Sequence, residues 1–428
     1  MLSRVGHSKG GEWRRGWPAV VAGTVGYGTG ASFLMMSASL FVMPMRPDFG
    51  GSTSAVTIAP IFTFLMALGQ PFSGLLADRW GARAVALTGM VLLPLAVLVL
   101  ALSPAHPSML YACAVLVGVT GALTGSAAFA RMTATWFDRR FGSAFGIVTN
   151  GTSLVTFLAT PLLAFAILHH GWRGGYVAMA SVMLLIGLPI VAALFREGPV
   201  ATRSSSGASS GATPGEGGAR IVRALKGALV DRRFWILALT TMLASTALGG
   251  FLSNLAPILD AKGFDLKMAA SMAMVYALAV SVGRIAGGVL LDHFAANRVA
   301  ALLLVAAGLG GLALGVVGPG TPLPLLMIIV GLVGLGQGAE VDFIAFFSLR
   351  LFGTDSYSAI VGLLTLIAGS SMALGGIAFA LIFDHAGSYL PAIRLGGGCF
   401  IVAGLVMLVA FGGGRARPVA DPSAGAVA

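Results

Sequence analysis

The sequence predicts an all-α integral membrane protein, with twelve transmembrane helices in two pseudo-symmetric six-helix bundles. Three observations predict it. Of the 428 residues, 57% are hydrophobic and only 10% are charged, with a mean hydropathy of +0.93; an ordinary soluble domain carries about 25% charged residues. Apolar runs of about 20 residues, the length that crosses a hydrocarbon core, recur twelve times. A segment of the first half also returns in the second. The composition excludes a soluble enzyme, a disordered chain and a nucleic-acid module, because a soluble chain this long leaves roughly a quarter of its surface in water.

The apolar runs lie near 17–44, 53–77, 84–103, 108–136, 142–168, 174–195, 234–259, 268–291, 299–317, 323–349, 357–383 and 389–412. Barrel strands alternate apolar and polar residues. These runs do not, so helices are predicted. The first run follows basic residues, as a signal peptide does, but exceeds the usual apolar region of about 7–15 residues and reads as an uncleaved span. The predicted units are a segment 1–16, a six-helix bundle 17–195, a linker 196–232, a second six-helix bundle 233–412 and a tail 413–428. Residues 204–218 read SSSGASSGATPGEGG, a flexible-linker composition. Cys113 and Cys399 both fall inside apolar runs and read as small hydrophobes rather than a disulfide or metal site.

The net charge is +11. With the N-terminus placed in the cytoplasm, nineteen lysines and arginines fall on that side and five on the other, leaving Arg131 and Arg284 within spans. That asymmetry predicts both termini on the cytoplasmic face of a cell inner membrane. Charge spread over short connecting segments argues against a nucleic-acid partner; the partner it fits is the lipid bilayer.

Gly69-Gln-Pro-Phe-Ser-Gly-Leu-Leu-Ala-Asp78 aligns with Gly283-Arg-Ile-Ala-Gly-Gly-Val-Leu-Leu-Asp292, at the ends of spans two and eight. Two related six-helix halves are a transporter architecture, with the substrate site between them near the midplane. Gly74-Leu-Leu-Ala-Asp78-Arg79-Trp-Gly81-Ala-Arg83 resembles the signature loop of the major facilitator superfamily, and Gly171-Trp-Arg-Gly-Gly-Tyr176 resembles its G-W-R segment. The second-half copy is degenerate: His293 and Phe294 follow Asp292, and no glycine stands at the place of Gly81. The resemblance covers essentially the whole chain and implies a monomeric secondary transporter working by alternating access. Pro257, Gly283-Arg284, Gly288 and Asp292, together with the stretch from Gly334 to Asp342 and Arg350-Leu-Phe-Gly353, resemble the bacterial monocarboxylate-porter and oxalate/formate-type branch. Animal members of that branch carry a lysine in span one; here span one has none.

The resemblance makes Asp78, Arg79, Arg83 and Asp292 a gating latch. The residues alone also allow ordinary charge punctuation at helix ends. Arg284 lies eight residues before Asp292, about 12 Å into the membrane. A charge that deep is costly unless it is paired or faces water, and a guanidinium can hold a carboxylate through two parallel hydrogen bonds. Arg284 is therefore either a substrate-carboxylate anchor or part of a structural ion pair. Glu340 and Asp342 sit at similar depth, about 200° apart on one helix, so they cannot share a partner. They are candidates for proton coupling, Glu340 first, or for permanent compensation of Arg284 or Arg131. Arg131 is a second substrate-anchor candidate that could also snorkel to the surface. Tyr27, Asn150, Asn254 and Tyr276 could each hydrogen-bond a substrate or join helices.

No phosphate-binding loop occurs, and no catalytic or metal-ligand spacing, so no enzyme, cofactor or metal is expected. The expected activity is secondary active transport of a small organic anion, a monocarboxylate first, by proton-coupled symport. Proton-antiport efflux of drugs or metabolites is the alternative. A sensor built on the same architecture should carry a sizeable extra domain or a long ordered tail; the 37-residue linker 196–232 and the short tail make transport the expectation.

Overall fold

The computed structural model describes residues 11–137, 141–196, 198 and 229–410. Among them every regular element is helical and none is a strand. Residues 204–218 and 413–428, assigned above to linker and tail, lie outside the described residues.

Span one is assembled from Gly11–Gly28, Ala31–Ser37 and Ser39–Met45. Its first two pieces meet at 45°. Span two is Ala59–Trp80 and span three Ala82–Leu102. Residues 53–56, which the hydropathy pattern joins to span two, form a separate short helix, Thr53–Val56. Span four is Pro107–Ala122 continued, after a three-residue break, by Ser126–Trp136. The helix Phe141–Val182 is interrupted at Gly171, with φ 66° and ψ −172°. Span five ends there and span six begins, completed by a π turn at Met183–Gly187 and the helix Leu188–Leu194. Spans seven, eight and nine are Arg232–Ala261, Leu266–His293 and Ala296–Ala313. The helix Leu323–Ala386 has 64 residues, far longer than the roughly 20 that cross a bilayer. Its apolar stretches Leu323–Glu340 and Ile360–Ala386 are spans ten and eleven, and Leu390–Ala410 is span twelve. Among the described residues nine helices are each long and apolar enough to cross a membrane, or ten with the bent pair as one. The break at Gly171 and the two-piece span four bring the passes to twelve.

The breaks have identifiable partners. The Ala31 N–H freed at the bend in span one donates to Thr124 Oγ1, 3.0 Å away, in the break of span four. A Cβ on Gly30 would lie 2.9 Å from the same oxygen, and one on Gly187, in the π turn, 2.2 Å from Thr29 Oγ1. Three irregular backbones thus stack together in the first half. The G-W-R segment closes the opposite end: Gly171 supplies the left-handed turn, Trp172 Nε1 donates to Asp48 at 2.7 Å, and Arg173 pairs with the same carboxylate at 3.8 Å.

The sequence repeat has a packing basis. A Cβ on Gly69 would sit 2.5 Å from Ala122 of span four, and one on Gly283 2.4 Å from the Leu335 carbonyl of span ten. The aligned glycines therefore seat equivalent helix pairs. A second correspondence was not visible in the alignment. A Cβ on Gly151 would lie 1.9 Å from the Thr24 carbonyl, and one on Gly375 1.9 Å from that of Thr246, so spans one and five match spans seven and eleven.

One apolar core runs from the first half into the second, joining Phe33, Phe41 and Leu100 to Phe251, Phe379 and Phe400. A separate core around Phe129, Met132, Val148 and Phe195 belongs to the first half alone. It lies toward the end of the bundle where the described chain starts and stops, the termini end.

Candidate functional site

The two halves touch at the far end and at mid-depth. At the far end the Asp384 carboxylate of span eleven accepts hydrogen bonds from Ser52 Oγ (2.9 Å), Thr53 N–H (3.0 Å) and Ser54 N–H (2.8 Å) of the first half. The Arg46 guanidinium lies 5.7 Å from the Phe383 ring centre. Burial, with the Asp384 charge adding to it, holds the neighbouring Tyr389 phenol above its ordinary pKa, so it stays neutral and donates to Asn254 Oδ1 at 3.4 Å. Further in, a Cβ on Gly369 would meet Ala67 at 2.5 Å. Toward the termini end, Gly74, Gly146, Gly288 and Gly362, on spans two, five, eight and eleven, have no neighbour within 4 Å of a built Cβ. The halves are closed at the far end.

Arg284 sits on the boundary. Its Nη1 donates to the Thr149 carbonyl of span five, 2.8 Å away, and its Nε is buried without a partner. No described carboxylate pairs with it. Next to it, Ser281 Oγ donates to Asn150 Oδ1 at 2.7 Å, again across the halves, while Asn150 Nδ2 donates to its own Gly146 carbonyl. Arg284 and Asn150 thus belong to one inter-half seam.

Glu340 is buried inside the second half and accepts a hydrogen bond from Ser245 Oγ of span seven. Gly338 explains its direction: a Cβ there would lie 2.7 Å from Arg284 N, so that face of span ten abuts span eight. Two residues on, Glu340 points about 200° away. It lines a cavity of about 20 Å³ with Thr241, Leu304, Phe343 and Met407, between spans seven, nine, ten and twelve. Arg284 and Glu340 therefore lie on opposite sides of span ten, which corrects the expectation that Glu340 could compensate Arg284 directly. Tyr276 is buried, its hydroxyl without a partner.

The other predicted residues are placed as follows. Tyr27 is half-buried and stands edge-on to Phe129, 6.1 Å between ring centres. Arg131 Nη1 donates to the Ala77 carbonyl at 3.0 Å, against the end of span two and beside the signature loop. Asn254 is fully buried and saturated: Nδ2 donates to the Gly250 and Gly376 carbonyls, at 3.0 and 3.1 Å, and Oδ1 accepts from Tyr389. It joins spans seven and eleven. Arg83 donates to the Ala192 carbonyl of span six at 3.0 Å, and Arg79 is exposed. The side chains of Asp78, Asp292 and Asp342 lie outside the described residues. Sequence reasoning missed Asp384, Ser245 and Gln337. Ser52-Thr-Ser54 did carry a helix-capping signal, and Ser52 does accept from Ala55 N–H at 3.3 Å.

The Major Facilitator Superfamily profile matches residues 25–376. The chain belongs to this family. Its members are transporters rather than enzymes, and this chain is a multi-pass membrane transporter. Monocarboxylate transporter 13 of Bos taurus is 26% identical over 355 residues, 82% of this chain and 79% of the relative. The gentisate transporter of Corynebacterium glutamicum is 26% identical over 320 residues, 71% and 68%. The multidrug resistance protein MdtL of Klebsiella pneumoniae is 30% identical over 245 residues, 55% and 57%. Coverage is uneven: the chain spans from 35% to 79% of the length of such relatives.

Proposed function

We propose that this chain carries a small organic anion, a monocarboxylate first, by proton-coupled symport. Arg284 carries the reading. A guanidinium within a membrane span needs an anion or water; this one is half-buried, its Nε has no hydrogen-bond partner, and no described carboxylate pairs with it. It also lies on the seam between the halves, where a bound acid is exposed to one side and then the other as they rock. Two relatives, a monocarboxylate transporter and a gentisate transporter, are named for organic acids. Glu340, held by Ser245, is the proton-carrying group, and it acts on Arg284 through span ten rather than by contact. Asp342 is the second candidate for that role. Arg131 serves the latch of Asp78, Arg79, Arg83 and Asp292 rather than the substrate, since it already binds the Ala77 carbonyl. We place the termini in the cytoplasm of an inner membrane, which makes the end joined through Asp384 the outer one, and take the unit as a monomer. The relative named for multidrug resistance favours a second reading, proton-antiport efflux.

Uptake into proteoliposomes of labelled lactate, pyruvate, oxalate, benzoate and a lipophilic cation, under an inward proton gradient, tests this. Arg284→Ala is expected to lower gradient-driven acid uptake about 100-fold, the effect of losing one charge-assisted anchor from a buried site. Cation movement that survives in the variant overturns the anion reading in favour of efflux.

A further inference from the structure

Spans five and eight meet through two adjacent bonds that cross from one half to the other. Arg284 Nη1 donates to the Thr149 carbonyl at 2.8 Å, and Ser281 Oγ donates to Asn150 Oδ1 at 2.7 Å. The partners are neighbours on each side. Thr149 and Asn150 are consecutive on span five, and Ser281 and Arg284 stand three residues apart on one flank of span eight. One turn of each helix therefore grips one turn of the other.

Each turn is backed by close packing inside its own half. Span five is pressed onto span one, where a Cβ on Gly151 would lie 1.9 Å from the Thr24 carbonyl. Span eight is pressed onto span ten, where a Cβ on Gly338 would lie 2.1 Å from the Val280 carbonyl. Asn150 is also braced on its own helix, since its Nδ2 donates to the Gly146 carbonyl at 3.0 Å. The two bonds are therefore set by where the halves stand relative to each other, not by slack in either helix.

These bonds occupy the group that the transported acid needs. Two parallel bonds to a carboxylate use either Nη1 with Nη2 or Nε with Nη2. The first edge is shared with the Thr149 carbonyl, and the second ends on an Nε sealed from solvent. Either grip requires the seam to give. An ionised acceptor makes a bond about twice as strong as a neutral carbonyl does, so an acid can win this competition, at the cost of the contact between the halves. We infer that the Asn150–Ser281 pair is an affinity-setting lock: it holds the Thr149 carbonyl on Arg284 in competition with the transported acid, so that acid binding loosens the halves. Asn150 then serves the lock and not the substrate. A ligand that binds only the unlocked arrangement has its apparent affinity reduced by the unlocked fraction, so weakening the lock must tighten binding. This rests on the anion reading above and deepens it.

The test is the concentration dependence of initial uptake in proteoliposomes. The labelled acid is lactate, pyruvate, oxalate or benzoate, whichever the wild type takes up fastest. Ser281→Ala and Asn150→Ala each delete the pair and are expected to lower KM about three- to tenfold, the scale of one lost hydrogen bond. The double variant is expected to match the single ones, because both remove the same bond. Ser281→Thr keeps the hydroxyl and should retain the wild-type KM. Size-exclusion profiles and melting temperatures establish that the variants fold. A KM that rises in Asn150→Ala overturns the inference and makes Asn150 a substrate ligand. A KM unchanged in both single variants, with only kcat altered, overturns it as well and leaves the pair a structural joint. Arg284→Ala run alongside separates the two readings. If acid uptake falls in Arg284→Ala while KM stays at the wild-type value in Ser281→Ala, the inference fails and the anion reading stands. If Arg284→Ala leaves acid uptake intact, or none of the four acids is taken up, both fail.

Discussion

The first half of the molecule is built from interrupted helices and the second from continuous ones. Spans one, four and six of the first half each break or change pitch, and the breaks dock on one another through Thr29, Gly30, Thr124 and Gly187. Their counterparts in the second half, spans seven, ten and twelve, run unbroken through the bilayer. Unpaired buried polar atoms occur in both halves, Ser37, Ser73 and Ser153 in the first and Tyr276, Arg284 and Gln337 in the second, but the buried carboxylate Glu340 with its Ser245 partner, and the Arg284 guanidinium at the seam, stand on continuous helices of the second half. Side chains on regular helices are held more closely than those on loops, so the second half is suited to hold chemistry and the first to deform. Two halves of one ancestral pattern can divide labour while keeping their packing.

The shared packing gives the largest expected effects. Gly151→Val and Gly375→Val each drive a Cβ into a backbone carbonyl 1.9 Å away. Overpacking typically costs about 1–3 kcal/mol, and a backbone neighbour cannot swing aside. Both variants should lose most of their monodisperse protein on size exclusion, to the same extent. A half that tolerates its valine would break the symmetry of the comparison.

Glu340→Gln tests the chemistry assigned to the second half. Stimulation of uptake by an inward proton gradient should disappear, a fall of about tenfold, while exchange of labelled acid without a gradient persists. Retained gradient stimulation would move the proton role to another carboxyl, Asp342 first.

Asp384→Ala removes three hydrogen bonds that join the halves. The far end should open more often, by about 5–30-fold in population, the scale of a conformational coupling of roughly 1–2 kcal/mol. Spin labels at Gly50 and His385 would report this as a growing long-distance component. An unchanged distribution would assign closure of that end to apolar packing.

Thr124→Val is the smallest. It removes the acceptor for Ala31 N–H and leaves one buried donor unpaired, at a cost of about 1–3 kcal/mol. The melting temperature should fall by a few degrees. A control change, Thr246→Val in span seven, removes only an intrahelical bond to Met242 and should have no measurable effect.

Much of this was legible in the sequence because hydropathy and charge act on long segments. Twelve passes, the all-helical class and the Gly69/Gly283 repeat follow from run lengths and from one alignment. Arg284 was legible because a charge at that depth is conspicuous. The breaks in spans one and four were not, since hydropathy averages over about 20 residues and the short Gly28–Gly30 and Leu123–Gly125 segments do not interrupt their apolar runs. Partner choice was also hidden. Asn254 and Asn150 look alike in sequence, yet one is saturated within its own half and the other bonds across the seam. Glu340 and Arg284 share a depth, but only the Gly338 contact shows that span ten stands between them. Asp384 lies at a span end, where a carboxylate is ordinary; its importance comes from the three donors that another half brings to it.

That exposed position of Asp384 at the rim also bears on speed. Each bond it loses on opening can be replaced at once by one to water, so separation costs only the small difference between the two rather than their full strength. A latch of the same three bonds sunk in the apolar core would find no replacement and would hold until thermal chance released it. Placing the bonds where solvent can exchange with them lowers the barrier to parting the two halves.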